Sequence, residues 1–213
     1  MDQDFLTLVT LYALPVILAI TLHEAAHGWA AMKLGDKTAL MMGRITANPL
    51  KHIDPIGTIL VPLICLILPG SFMFGWAKPV PINTRNFKKL RRDMLLVAAA
   101  GPMANILMMM AWLLIFKLSA TSDLGIYSEP LQRMALMGVI FNTVLAAFNL
   151  IPIPPLDGGR ILTSLLPYPW DVRLNGLERY GFIILIVLMT THLLDFILGP
   201  IYAAVGALQH LIL

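Results

Sequence analysis

The first 33 residues contain a long apolar run that meets ionisable side chains only near its end. Residues 5–20, FLTLVTLYALPVILAI, carry no charge, and TLHEAAHGWAA follows directly. Inside a bilayer every backbone N–H and C=O must be satisfied within the protein, so about 20 consecutive apolar residues are restricted to a helix. Hydrophobic residues make up 58% of the chain and charged residues 13%, against roughly 45–50% and 25% in soluble domains. The sequence predicts an integral membrane protein.

Further apolar stretches predict an all-α, multi-pass membrane protein with about five to six transmembrane or re-entrant helices. The candidate spans are residues 5–33, 94–118, 132–152, 178–196 and 197–213. A sixth stretch, 56–76, contains Pro62, Pro69 and Gly70, and it forms either one kinked span or a re-entrant hairpin. No internal repeat or linker divides the chain, so we expect one membrane-embedded domain over residues 1–213.

The distribution of basic residues predicts the orientation. Lysines and arginines flank 56–76 on both sides, whereas 119–131 has none. The positive-inside rule places both flanks in the cytoplasm, which favours the hairpin and sets the histidines of the first helix towards the cytoplasmic side. The same rule accounts for the net charge of +3, so we expect no nucleic-acid partner.

The segment 38–53, TALMMGRITANPLKHI, is too polar to cross a bilayer and contains Gly43 and Asn48-Pro49 as helix breakers. We expect short β-strands here, or an extended loop, held at the inner face of the membrane.

His23 and His27 are four residues apart, so a helix projects both from one face, where two imidazoles can bind one metal ion. Glu24 lies beside them, which completes the HExxH pattern with the glutamate as general base. An accidental HExxH occurs in soluble sequences, but ionisable groups inside a span cost at least about 2.5 kcal/mol each and are functional by default. The pattern predicts a zinc site.

A catalytic zinc ion needs a third protein ligand and one open position. The candidates are His52, Asp54, Asp157, His192, Asp195 and His210. Asp157 is favoured because NLIPIPPLDGG breaks a spanning segment with three prolines, and the helix is expected to resume after Gly158 and Gly159. Irregular backbone at membrane depth is tolerated only where it is buried in protein or lines a wet cavity. His52 and Asp54 are explained equally well by a hydrogen-bonded turn, and His192 and Asp195 by interhelical contacts.

HEAAH in a first apolar helix, joined to NLIPIPPLDGG in a later one, resembles the site-2 protease family of intramembrane zinc metalloproteases. GRITANPLKHIDPIG, FGWAKPVPIN and AGPMAN are similar to that family as well. The resemblance implies one Zn²⁺ per chain bound by His23, His27 and Asp157, with Glu24 as general base. It also implies that Asn149 holds the substrate carbonyl or its oxyanion, although an interhelical hydrogen bond is an alternative. Asn105 is expected to support the site.

The resemblance implies hydrolysis of a peptide bond in or near the transmembrane segment of another membrane protein, in a prokaryotic plasma membrane. The chain is expected to be a minimal form without PDZ or CBS domains. We also expect the substrate to bind in an extended conformation and to pair with 38–53 as an added β-strand. Substrate identity, substrate-binding residues and oligomeric state are unknown from the sequence. A metal-binding but inactive scaffold and a transporter are the competing classes, and the presence of Glu24 favours the enzyme.

Overall fold

The computed structural model describes residues 3–67, 75–122 and 124–181, and beyond these the positions 183, 184, 187, 191, 199, 200 and 203. The described part is helical and contains no strand. The α-helices are α1 (Gln3–Lys33), α2 (Thr38–Met41), α3 (Val61–Ile67), α4 (Leu90–Thr121), α5 (Ser128–Asn149), α6 (Asp157–Leu165) and α7 (Trp170–Asn175). Short 3-10 turns lie at Pro49–Lys51, Thr84–Asn86, Gly125–Tyr127 and Glu178–Tyr180, and a π-helical turn at Pro55–Leu60.

Three of these segments are long and apolar enough to cross a membrane: Leu11–Lys33, Leu90–Thr121 and Gly125–Asn149. They confirm the predicted spans at 5–33, 94–118 and 132–152 with shifts of a few residues at the ends. Most residues of the predicted spans at 178–196 and 197–213 lie outside the described residues, and so do His192, Asp195 and His210. The chain is an integral membrane protein.

The helices α1, α4 and α5 pack against one another through small residues and a few aromatic side chains. Trp112 and Phe116 of α4 are buried against Ala135 and Val139 of α5. Gly138 lies beneath the Trp112 ring, where an added Cβ would meet a ring atom at 2.4 Å. Small residues at such crossings let the backbones of membrane helices approach closely, and dispersion contacts then supply the stabilisation.

The opposite face of α4 carries large apolar side chains that are exposed in the isolated chain. They follow one another at helical spacing: Met103, Leu107, Met110, Leu114 and Leu118. An apolar stripe without a protein partner is costly in water but matches the acyl chains of a bilayer. Within the described residues, this stripe marks the lipid-facing side of α4.

The segment 38–53 forms no β-strand, so the prediction of a β-region there was wrong. It contains α2, the 3-10 turn at Pro49–Lys51 and irregular backbone. A strand needs a continuous ladder with a neighbour, and this segment forms only one backbone bond with the extended residues 75–83, from Lys78 N to His52 O at 2.9 Å. The alternative expectation, an extended loop held against the helices, is met only in part, because the segment packs on α1 but contains helical turns.

The two ends of the 56–76 stretch meet. Trp76 N donates to Gly57 O at 3.0 Å, and Thr58 Oγ1 donates to Trp76 O at 2.9 Å. A single span would separate its ends by about 30 Å, so this contact favours the hairpin.

Asp36, just after α1, connects the loop that follows α1 with the loop that precedes α4. Its fully buried carboxylate accepts hydrogen bonds from Thr38 N and Oγ1, Asn83 N and Asn86 Nδ2. Burial alone would raise the pKa of Asp36, but the bonds from Thr38, Asn86 and Asn83 outweigh it and hold the pKa below its ordinary value. The ends of α1 and of the extended segment 75–83 are thereby fixed to each other.

Candidate metal centre

His23, His27 and Asp157 come together in the interior, although 130 residues of chain separate the second histidine from the aspartate. His23 Nε2 lies 3.2 Å and His27 Nε2 3.3 Å from Asp157 Oδ2, and the two Nε2 atoms are 3.2 Å apart. All three residues are buried. Of the described residues, these three form the candidate metal-binding group, so His52 and Asp54 do not join it.

The triangle has the size of one face of a tetrahedral zinc site. Zinc binds imidazole nitrogen and carboxylate oxygen at about 2.0–2.1 Å, and a regular tetrahedron of that radius has edges of about 3.3–3.4 Å. The three observed separations of 3.2, 3.3 and 3.2 Å agree with those edges. A zinc ion held by three protein ligands would keep its fourth position for water or substrate, as a catalytic site requires.

The outer hydrogen bonds of the imidazoles determine which ring nitrogen carries the proton when each ring is neutral. His27 Nδ1 lies 2.7 Å from Val97 O, and a carbonyl only accepts, so Nδ1 carries the proton. His23 Nδ1 lies 2.6 Å from Asn105 Oδ1. The Asn105 amide is oriented in turn, because its Nδ2 donates to Ala19 O at 3.3 Å and to Asn142 Oδ1 at 2.9 Å. In the neutral form both histidines therefore donate from Nδ1 and present bare Nε2 lone pairs inwards, which is the form that binds a metal.

With both imidazoles neutral, the inner atoms of the cluster are all acceptors. Asp157 Oδ2 is buried and has no hydrogen-bond donor among the described residues. Two imidazole lone pairs and a carboxylate oxygen then converge without any positive charge between them, an arrangement that is costly unless a cation occupies the centre. Two nitrogens and one oxygen are a donor set that zinc accepts. The residues present fit a zinc ion.

Helix α4 forms the back wall of the centre. Gly101 packs so closely on the imidazoles that an added Cβ would lie 2.3 Å from His27 Nε2 and 2.6 Å from His23 Cε1. Val97, Gly101 and Asn105 follow one another at intervals of four residues, and so do Ala19, His23 and His27 on α1. Two rows with this spacing meet along one contact line between the helices.

The irregular break between α5 and α6 places Asp157 next to the two histidines. Residues 150–156 are irregular, and α6 begins at Asp157 itself, slightly earlier than the expected restart after the two glycines. Those glycines let α6 fold back onto the break, since a Cβ on Gly158 would meet Leu150 O at 2.2 Å and one on Gly159 would meet Pro154 N at 2.2 Å. The LDGG sequence is thus a close-packing element that aims the carboxylate at α1.

Glu24 and Asn149 lie near the cluster in sequence but have different surroundings. Glu24 is half-buried, and its Oε2 accepts a hydrogen bond from Val80 N at 2.9 Å. Asn149 is the last residue of α5, and its Nδ2 donates to Leu145 O within the same helix at 2.9 Å. That contact is intrahelical rather than the interhelical bond considered as an alternative, and it uses one of the two amide hydrogens.

Asp54 takes the role that the turn interpretation gave it. Its carboxylate accepts from Ile56 N and Gly57 N and caps the π-helical turn, while buried His52 lies with Nε2 3.1 Å from Thr46 O. Asn105 was expected to support the site, and its 2.6 Å contact with His23 agrees with that expectation. Gly101 and Val97 were not predicted from the sequence, although the Gly-Pro pair inside an apolar helix was an available signal for Gly101. Val97 acts through its backbone.

Known proteins resemble the chain at the level of sequence. Residues 113–189 match peptidase family M50, a region that includes Asn149 and Asp157. A Bacillus subtilis protein described as "Putative zinc metalloprotease YwhC" is 40% identical over 93% of this chain and 89% of its own length. Rip2 proteins with the same description match in Mycolicibacterium smegmatis, at 30% identity over 84% of this chain and 66% of the relative, and in Mycobacterium tuberculosis H37Rv, at 28% over 87% and 69%. No solved structure matches the chain significantly.

A buried site suited to zinc, a membrane-embedded helical fold and a relative that is 40% identical over nearly the whole chain lead to one conclusion. The chain belongs to peptidase family M50, the site-2 protease family of zinc metalloproteases.

Proposed function

We propose that this metalloprotease cleaves a peptide bond within or near the transmembrane segment of another membrane protein, as a step of regulated intramembrane proteolysis. One domain over residues 1–213 carries the activity. The observation that carries the proposal is the convergence of His23, His27 and Asp157, with unshared lone pairs, beside a glutamate on a membrane-spanning helix.

His23, His27 and Asp157 hold one zinc ion per chain in this proposal. When bound, the ion acts as a Lewis acid that polarises the substrate carbonyl and lowers the pKa of a water molecule to about 7. Glu24 takes a proton from the attacking water and delivers it to the leaving amine. Asn149, whose second amide hydrogen is free of the Leu145 contact, donates to the developing oxyanion, a role that can contribute about 3 kcal/mol in a dry site.

A substrate helix hides its carbonyls in its own hydrogen bonds, so it must unwind at the cleaved bond. Residues that break helices near that bond lower the cost of unwinding, and we expect them in substrates.

The site faces the cytoplasm of a prokaryotic cell in this proposal. The basic residues Lys88, Lys89, Arg91 and Arg92 precede or begin α4, whereas 119–131, at its far end, has no Lys or Arg. His27 lies six residues before Lys33, about 9 Å of helix from the end of α1, so water has a short route from that side. Labelling of cysteines at 88–92 from outside intact cells would contradict this orientation.

The decisive experiment compares wild type, Glu24→Gln and Asp157→Ala on a tagged single-span substrate in detergent, with bound zinc quantified in each. We expect the wild type to cut, Glu24→Gln to keep one zinc per chain without cutting, and Asp157→Ala to lose both. If zinc binds and all three proteins behave alike on several substrates, the protease proposal fails and a scaffold role replaces it.

A further inference from the structure

The extended segment 75–83 approaches Glu24 with one backbone donor. Val80 N lies 2.9 Å from Glu24 Oε2, and within the described chain Glu24 has no other hydrogen-bond partner. Val80 stands between Pro79 and Pro81, and proline has no N–H. Across these three residues the backbone offers a single N–H group, and that group is directed at the glutamate.

Arg44 fixes the position of this donor. The side chain is buried, and its Nη2 donates to Lys78 O at 2.7 Å and to Pro79 O at 3.2 Å. Among the described residues no acidic side chain forms an ion pair with it. A buried guanidinium is costly unless it has partners, so its carbonyl contacts hold the two residues immediately before Val80 in place.

The other side of Val80 is anchored as well. Asn83 N donates to Asp36 Oδ2 at 2.7 Å, three residues beyond Val80. The Val80 side chain is buried, and it packs where a Cβ on Gly28 would lie 3.0 Å from Val80 Cγ1. The amide is thus held at a fixed place relative to α1.

Glu24 needs such a support. Adjacent residues project about 100° apart around a helix, so the Glu24 side chain leaves α1 in a different direction from His23 and must be held to serve the same centre. We infer that the Val80 amide and the Arg44 guanidinium are positioning groups for Glu24. The amide holds one carboxylate oxygen, so that the other is presented for proton transfer, and Arg44 holds the amide. This inference rests on the proposed function of Glu24.

The test compares Val80→Pro, which removes the N–H and keeps an apolar side chain, with Val80→Ala, which keeps the N–H and removes packing. Each purified protein is assayed on the single-span substrate with zinc content measured alongside. We expect Val80→Pro to lower kcat by about 10- to 100-fold, since a misplacement of about 1 Å costs up to that much. KM and zinc content should stay at wild-type values, and Val80→Ala should keep at least about ten times the kcat of Val80→Pro.

A backbone ester at Val80, made by cell-free synthesis with a hydroxy acid, removes the N–H without changing the side chain. An ester at Ile82, next to Pro81 in the same segment, is the matched control and should cut like the wild type. The Val80 ester weakens the Pro79 carbonyl, whereas Val80→Pro leaves it an amide carbonyl, so agreement between the two assigns the effect to the donor. Arg44→Lys should recover part of the kcat lost in Arg44→Gln.

Equal kcat for Val80→Pro and Val80→Ala, or for the two esters, would overturn the inference. A rise in kcat would overturn it too, because the contact between Val80 and Glu24 would then slow the reaction. A loss confined to KM or zinc content would assign the segment to substrate or metal binding instead. Failure of the proposed function is a separate result, because it appears as a wild type that does not cut or a Glu24→Gln variant that does.

Discussion

The substitution Gly101→Ala adds one methyl group to α4 at its contact with the metal centre. Gly101 lies in the middle of α4, where alanine is favoured over glycine by about 1 kcal/mol through helix propensity. Propensity alone therefore predicts a gain in stability. The structure predicts the loss of the metal site, because the new Cβ would lie 2.3 Å from His27 Nε2 and 2.6 Å from His23 Cε1.

The size of the displacement decides the outcome. Cβ atoms do not approach other heavy atoms closer than about 3.0 Å, so His27 or α4 must move by about 0.7 Å or more. Zinc sites tolerate changes of only about 0.2 Å in ligand distance. If α4 moves instead, the 2.6 Å bond from His23 to Asn105 and the 2.7 Å bond from His27 to Val97 lengthen towards the limit of hydrogen bonding. We expect zinc affinity to fall by at least about 100-fold.

The assay is zinc content after dialysis against graded chelator, with thermal unfolding and cleavage measured on the same preparations. Gly176→Ala is the matched control, because the same change at a helical φ of −62° meets nothing closer than 3.3 Å. Gly176→Ala should bind and cut like the wild type. A Gly101→Ala protein that keeps one zinc per chain at wild-type affinity and cuts normally would refute the packing argument.

Two further predictions concern supports outside the three ligands. Asn105→Leu removes the acceptor for His23 Nδ1 and should lower zinc affinity about 10- to 100-fold in a chelator competition, whereas Asn105→Asp keeps an acceptor and should lose less; equal affinities would contradict the role of Asn105. Asp36→Asn should cost about 2 kcal/mol near neutral pH, measured by thermal unfolding in detergent. Because the folded pKa of Asp36 is lowered, its contribution is complete above the unfolded pKa of about 4 and is lost as pH falls further. The stability difference between wild type and Asp36→Asn should therefore shrink below about pH 4. A stability difference that does not change with pH would show that the charge of Asp36 is not what stabilises the fold.

The sequence predicts the parts of this molecule that depend on composition and local spacing. Apolar runs of sufficient length predicted α1, α4 and α5, because lipid leaves the backbone no alternative to the helix. Two histidines at helical spacing predicted a shared face, and the proline-rich break indicated where a third ligand enters. These inferences need only helix geometry and the cost of ionisable groups in a membrane.

The remaining features depend on which segments meet, and residue type alone does not determine that. The segment 38–53 has the polarity and the breakers from which short strands or an extended loop were expected, yet its neighbour 75–83 contains Pro79 and Pro81, which cannot donate to a ladder. The main-chain groups that serve the site leave no mark in composition, because a carbonyl such as Val97 O occurs in every residue and an N–H such as that of Val80 in every residue except proline.

The contact between α1 and α4 nevertheless leaves a pattern in the sequence, because the residues that meet are regularly spaced on both helices. Positions four apart on a helix drift by about 40° per step, so a row of them winds slowly around the helix. Ala19, His23 and His27 form such a row on α1, and Val97, Gly101 and Asn105 form one on α4. Asn105 contacts Ala19 and His23, whereas Val97 contacts His27, so the rows run in opposite directions. Gly101 in the middle has no side chain because the rings of both histidines fill that space.

The histidine spacing on α1 therefore sets requirements on α4 as well as on the metal. An acceptor is needed opposite each Nδ1, and the absence of a side chain is needed between them. A backbone carbonyl provides the first acceptor, and any residue type can supply it. The part of the requirement that can be recognised in the sequence is therefore a glycine followed four residues later by a residue with a side-chain amide. AGPMAN satisfies this description in the next long helix after HEAAH. The two motifs are halves of one binding site, which explains physically why this chain carries both.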